Sequence, residues 1–184
     1  MQTIQFVAIL MAAASELAAE NLPARRLIVS FPARRIVLVE DGKVVKSYPV
    51  AIGKPSTPSP NGTFHVASHV VNPTYTHDGK VVKPGAGNPV GTRWMSLGFK
   101  GYGIHGTNQP ESIGHAASHG CIRLRNRDVE ELFELVHVGD EVDLIADPTP
   151  EEAALFQYAV PTKNPANRLQ TTVALADVIA GGMQ

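Results

Sequence analysis

Ser118-His119-Gly120-Cys121-Ile122-Arg123 holds the only cysteine among 184 residues, and His105 stands sixteen residues before it within Ile104-His105-Gly106-Thr107. A thiolate is the nucleophile most readily raised near neutral pH, and an imidazole is the usual acceptor of its proton. Gly106, Gly114 and Gly120 punctuate the segment and no helical or strand period runs through it, so it reads as loop. The plainer reading of a lone cysteine is a small buried hydrophobe. The Ser-His-Gly approach and the upstream histidine favour a reactive thiol instead.

Working outward, each neighbour has a chemical use. His105 would take the thiol proton and return it to a leaving amine; otherwise it is a hydrogen-bonded strand histidine. An imidazolium beside Cys121 would pull the thiol below its ordinary value near ~8.5. No Asp or Glu stands at an obvious spacing to orient His105, so a backbone carbonyl near Gly106 is the expected orienter. His119, two residues before Cys121, would share its side of an extended loop, and residue chemistry alone does not separate it from His105. Ser118 is a hydrogen-bonding partner in that network or a plain loop serine. Gly120 lets the backbone approach a reacting carbonyl, and the N–H groups of Gly120 and Cys121 are candidate oxyanion donors, each worth ~3 kcal/mol of barrier. Arg123, again on the Cys121 side, can hold a carboxylate bidentately. Gly106, Trp94 and Tyr102 complete the expected substrate surroundings, core packing being the competing use of Trp94. Arg125 and Arg127 are assigned to the surface and a helix start, and His65, His69, His77 and His137 to structural or exposed positions.

The remaining chain reads as mainly β. Leu27-Ile28-Val29-Ser30 and Arg35-Ile36-Val37-Leu38-Val39-Glu40 are β-branched runs, and Asp41-Gly42 turns the second into Lys43-Val44-Val45-Lys46-Ser47-Tyr48-Pro49-Val50. Three prolines keep residues 55–62 out of a central sheet. Residues 63–71 alternate as one strand, with His65 and His69 on one face. Residues 72–92 predict a long loop or a flap over the site. Residues 94–99 and 102–105 predict short strands. Asn126 predicts the N-cap of a helix whose Val129, Leu132, Phe133 and Val136 form one buried stripe, and residues 141–145 return as a strand. Pro148-Thr149-Pro150 marks a boundary, followed by helical stretches at 151–158 and 168–179. The expected organisation is an N-terminal apolar segment (1–24), a catalytic domain (26–147) and a short C-terminal helical appendage (148–184).

Composition narrows the function. Sixteen Lys and Arg against seventeen Asp and Glu leave a net charge of −1, too little basic surface to hold nucleic acid. Hydrophobic residues at 43% suit a folded domain. Phe6-Val7-Ala8-Ile9-Leu10-Met11-Ala12-Ala13-Ala14 has signal-peptide length and a small-residue cleavage pattern, though no Lys or Arg precedes it. An atypical signal, a start upstream of Met1 and a short helix are all consistent with it. The run is too short to span a bilayer, which needs about 20 apolar residues. A zinc site from His105, His115, His119 and Cys121 is the alternative chemistry. His115 and His119 would have to share a helix face, which the flanking glycines and Ser118 oppose.

Ile104-His105-Gly106-Thr107, Ser112-Ile113-Gly114 and Ser118-His119-Gly120-Cys121-Ile122-Arg123-Leu124, in this order, resemble the signature of the L,D-transpeptidases, the YkuD-type catalytic domain. The likeness extends to the hairpin at 34–52, the Pro/Gly loop at 53–64, Asn88-Pro89-Val90-Gly91-Thr92-Arg93-Trp94 and Val138-Gly139-Asp140-Glu141-Val142, and so covers residues 26–146. It implies a YkuD-like β-sandwich or sheet domain with one principal helix. It implies Cys121 as nucleophile, His105 as proton donor and acceptor, and His119 in support. The implied substrates are peptidoglycan stem peptides: Cys121 would attack the L,D bond of a tetrapeptide, release D-alanine and pass the acyl group to an amine of a second stem. L,D-carboxypeptidase or lipoprotein-attaching relatives, and a noncatalytic wall-binding module, are the alternatives. The resemblance also implies export to the periplasm or cell wall, with no cofactor and no metal.

Overall fold

Residues 25–99 and 101–157 are described by the structure, a computed structural model. The two β-branched runs form β1 (Arg25–Ser30) and β2 (Arg35–Glu40), and Asp41-Gly42 returns the chain as β3 (Lys43–Pro49). Both turn residues have positive φ, 48° and 74°, the backbone that a tight hairpin between right-twisted strands needs. The further elements are β4 (Ile52–Gly53), β5 (Gly62–His65), β6 (Ser68–Val71), β7 (Tyr75–His77), β8 (Lys80–Val82), β9 (Arg93–Ser96) and β10 (Gly103–His105). After them come β11 (Ala116–Ser118), β12 (Ile122–Arg123), α1 (Asn126–Leu135), β13 (Glu141–Ile145) and α2 (Pro150–Gln157).

One sheet has the order β3-β2-β1-β13-β5 and a second the order β12-β10-β9-β6; β4–β11 and β7–β8 are separate pairs. β13 enters the first sheet parallel to β1, with Leu27 beside Val142 and Val29 beside Leu144. Period two then sends Leu27, Val29, Ile36, Leu38, Val142 and Leu144 to one face. They meet Met95, Ile104 and Ile122 of the second sheet and Val129 and Leu132 of α1 in one buried core. The other face of the first sheet carries Ile28, Val37 and Val39, covered by Phe156 of α2 with Leu155 beside it. Cover on both faces explains why β1 and β2 read as unbroken apolar runs.

Four expectations need correction. Residues 63–71 are two strands in different sheets, so His65 and His69 do not share a face. The backbone changes partner between Val66, which bonds Asp140 and Gly139, and Ala67, whose N–H reaches Ser96 O at 2.8 Å. In the segment 72–92 only the long-loop alternative needs correction, because the segment contains the β7–β8 hairpin, turned by Asp78-Gly79 with φ of 46° and 74°. Arg125, not Asn126, is the N-cap of α1; the Asn126 side chain is turned to Thr107, whose N–H it accepts at 3.1 Å. The supposed loop after His105 contributes two short strands, because β11 and β12 each find a partner elsewhere, while β10 is the strand expected at 102–105. The apolar run at 6–14 and the helix expected at 168–179 lie outside the described residues.

Candidate active site

Alternation across the second sheet assembles the site. Trp94 pairs with Val70 on one side and His105 on the other, and His105 pairs with Arg123. These four side chains stand in one row, on the face opposite Met95, Ile104 and Ile122. All four line a cleft of about 670 Å³. Cys121, two residues before Arg123, rises on the same side next to Gly103. A Cβ at Gly103 would lie 2.7 Å from the Trp94 indole, so a side chain there would displace the ring.

His105 is buried, with only 4% of its surface exposed. Its Nδ1 lies 2.5 Å from Gly106 O. A carbonyl only accepts, so Nδ1 carries the proton and Nε2 is the bare nitrogen. Gly106 therefore orients the histidine and is not among the residues lining the cleft. The Trp94 ring is stacked on His105, centroids 5.3 Å apart and planes 22° apart. Burial pushes the His105 pKa down to about 4, the Gly106 carbonyl opposing and the Arg123 charge adding to the fall. The ring is neutral near pH 7.

Cys121 is half-buried, and its Sγ–H donates to Gly101 O at 3.2 Å. Burial raises the thiol pKa, against the Gly103 backbone and the Arg123 charge, which pull it down. The resting pair is thus a thiol and a neutral imidazole, and the expectation of an imidazolium-lowered thiol does not hold. Such a pair can still pass a proton from sulfur to Nε2 as the sulfur bonds to an electrophile.

Ser118, fully buried, shapes the turn that carries Cys121. Its Oγ donates to Cys121 O at 2.6 Å and accepts the Gly120 N–H at 3.0 Å. That N–H is therefore committed to the loop. The Cys121 N–H has no hydrogen-bond acceptor among the described residues, which leaves it the free donor of the two. Gly120 has φ +116°, and a Cβ there would meet the Tyr102 ring at 2.6 Å. Behind this turn, Lys54 N and Thr57 Oγ1 both donate to Ser118 O, at 3.0 and 3.2 Å. The Pro/Gly loop thereby braces the cysteine from outside the sheet.

His119 and Tyr102 line the cleft. His119 is exposed, with Nε2 3.3 Å from Lys54 Nζ. Arg123 Nη1 donates to Gln109 Oε1 at 3.3 Å, while its buried Nε has no hydrogen-bond partner among the described residues. Burial lowers the Arg123 pKa, opposed by Cys121 and Tyr75. No Asp or Glu is among the lining residues. His115 and His119 flank β11 and share no helix face. Among the described residues, no three His, Cys, Asp or Glu side chains gather as metal ligands.

The family model of the L,D-transpeptidase catalytic domain (YkuD) matches residues 24–144. The chain belongs to that family. It is 43% identical over 119 residues to the L,D-transpeptidase YkuD of Bacillus licheniformis, a match that takes in 65% of this chain and 64% of that protein. The chain thus spans less than two thirds of that relative's length. The solved catalytic domain of the E. faecium L,D-transpeptidase is 30% identical, with a TM-score of 0.56 over 68% of this chain and 99% of that one. An L,D-transpeptidase solved as its avibactam carbamoyl enzyme is 29% identical, with a TM-score of 0.58 over 69% and 51% of the two chains.

In this L,D-transpeptidase domain, several features of the site are not legible from motifs alone. Tyr75, Thr76 and His77 of β7 line the cleft, and Asp78-Gly79 is the readable sign of their hairpin. Asn88 and Asn126 fix the loops that frame the site. Asn126 Oδ1 fits only because positions 91 and 106 are glycine, where a Cβ would lie 2.1 and 2.2 Å from it. Among the described residues, no helix is long and apolar enough to cross a membrane.

Proposed function

We propose that this chain is a peptidoglycan L,D-transpeptidase that works through a cysteine thioester. The carrying observation is His105, held by Gly106 with Nε2 bare in the cleft that also holds the only cysteine. As Cys121 Sγ bonds to the carbonyl carbon of the L,D peptide bond, its proton passes to His105 Nε2. The Cys121 N–H supports the oxyanion. The C–N bond then breaks, the proton moves from His105 to the departing D-alanine amine, and a thioester remains. An amine of a second stem attacks that thioester and gives its proton to His105; the C–S bond breaks and the thiol re-forms. Neither half needs a redox partner or a metal.

Arg123 supports an anionic donor. Its unpaired Nε edge and the absence of lining carboxylates suit the carboxylate of a stem peptide. The carbamoyl enzyme of the 29% identical relative is a covalent adduct of the kind this mechanism requires. Such a substrate lies outside the cytoplasmic membrane, so the reading carries export with it, and residues 6–14 are the candidate signal.

The test is mass spectrometry of the protein and its Cys121→Ala variant with a disaccharide-tetrapeptide, without added metal. A thioester adduct with D-alanine release, absent from the variant, supports the reading. The product then separates a stem amine, a lipoprotein lysine and water as acceptors. No adduct and no release from the folded protein would sink the thiol mechanism on this substrate.

A further inference from the structure

Asn88 is fully buried at the edge of the cleft, and its side chain neither packs in the apolar core nor lines the cleft. Its Nδ2 donates to Pro73 O at 2.7 Å and to Lys83 O at 3.4 Å, while Oδ1 accepts the Val90 N–H at 3.0 Å. Pro73 and Lys83 are the two feet of the segment that carries β7 and β8. One carboxamide therefore bridges both feet and ties them to the loop leading into β9. Between the feet the hairpin has only the pairs Tyr75–Val82, Thr76–Val81 and His77–Lys80. A two-stranded ribbon so short is not stable in water by itself. The neighbouring bonds, Asn72 N to Thr92 O and Asn108 Nδ2 to Gly87 O, anchor the segment's ends without joining one foot to the other.

We infer that Asn88 is a positioning residue that clasps the β7–β8 hairpin over the cleft, and so sets how a stem peptide is held against Cys121. The inference rests on the reading of Cys121 as nucleophile. Thr74, Tyr75, Thr76 and His77, which line the cleft, follow directly from Pro73, the clasped foot that lines it too. Only a carboxamide suits the place: it offers two N–H donors to two carbonyls and an acceptor to Val90 in the volume of one small side chain. Aspartate has the same shape but would set oxygen against both carbonyls and release both feet.

The experiment uses the full chain and its Asn88→Asp variant. Peptide-resolved hydrogen exchange should show residues 73–83 exchanging about tenfold faster in the variant, with β1, β2 and α1 unchanged. KM for the disaccharide-tetrapeptide should rise about tenfold, while iodoacetamide, too small to need the hairpin, should alkylate Cys121 no more slowly than in the parent. Gly79→Val is the second variant, in case Asn88→Asp does not fold. Its backbone φ of +74° resists a β-branched side chain, and nothing stands within 4 Å of the added Cβ, so it loosens the hairpin without touching the core. It should reproduce the exchange and KM changes. Unchanged exchange at 73–83 in folded Asn88→Asp would overturn the clasp. Faster exchange with an unchanged KM, in either variant, would overturn its role in holding substrate. Full activity in Cys121→Ala would refute the nucleophile, and hydrogen exchange would still decide the clasp independently.

Discussion

Acidification should cost this domain about 3 kcal/mol of stability through one buried ring. In the unfolded chain His105 takes its proton near pH 6.5; in the folded chain burial delays that to about pH 4. Between those values the unfolded state binds a proton that the native state refuses, so stability falls as pH falls. Above pH 6.5 and below pH 4 the ring contributes no slope. The two values stand about 2.5 pH units apart, and about 1.4 kcal/mol per unit gives the total. The comparison is His105→Asn, whose amide nitrogen can still reach Gly106 O but which cannot be protonated. Urea denaturation of both proteins at pH 7.5, 6, 5 and 4 reads the difference. Carboxylates titrate alike in the two proteins, as does His69, whose pKa burial also lowers. The parent's lead over the variant should shrink by about 3 kcal/mol on acidification, a midpoint change of about 1–2 M urea for a domain of this size. Parallel curves at every pH would refute the depressed His105 pKa, and with it the neutral resting pair.

Other predictions follow from single contacts. Gly120→Ala places a Cβ 2.6 Å from the Tyr102 ring at a φ of +116°; it should cost about 1–3 kcal/mol in denaturation and slow thioester formation at least about tenfold. Arg123→Gln should raise KM about 10- to 100-fold for tetrapeptides with a free terminal carboxylate, and leave KM for the amidated peptide unchanged. Trp94→Ala uncovers His105, so the acid limb of the rate profile should move up from about pH 4 toward 6.5, whereas Trp94→Phe should hold it. Phe156→Ala should cost about 3 kcal/mol in stability with kcat/KM unchanged, because that ring covers the face of the first sheet away from the cleft.

Much of this is legible in residue order, where local chemistry decides structure. The runs Leu27-Ile28-Val29 and Ile36-Val37-Leu38-Val39, the Asp41-Gly42 turn and the Val129–Leu132 stripe all form as their patterns require. The cysteine, both histidines and Arg123 stand out by type and spacing, and the cleft gathers all four. What stays hidden depends on distant partners. Residues 63–71 alternate without interruption, and only the competing backbones of Asp140 and Ser96 divide them. Asn126 has the right residue type for a cap, but the space left by Gly91 and Gly106 draws its side chain to Thr107. The neutrality of His105 is likewise a product of burial, which no single motif encodes.

Core and site are one structural decision. His105 and Arg123 alternate along β10 and β12 with Ile104 and Ile122, both fully buried, and Cys121 immediately precedes β12. A one-residue slip of either strand would turn its chemical groups into the core and its isoleucines into the cleft. Burying two isoleucines is worth about 3–6 kcal/mol together, more than any hydrogen bond within the site could contribute. The apolar residues therefore fix the register, and the register places Arg123 beside His105 and lifts Cys121 on their side. Trp94 enters by the same rule, since Met95 points inward beside it. Only the turn at 118–121 escapes this logic. There the strand period gives way to a buried serine and a left-handed glycine, which hold the backbone of the cysteine turn without help from the core.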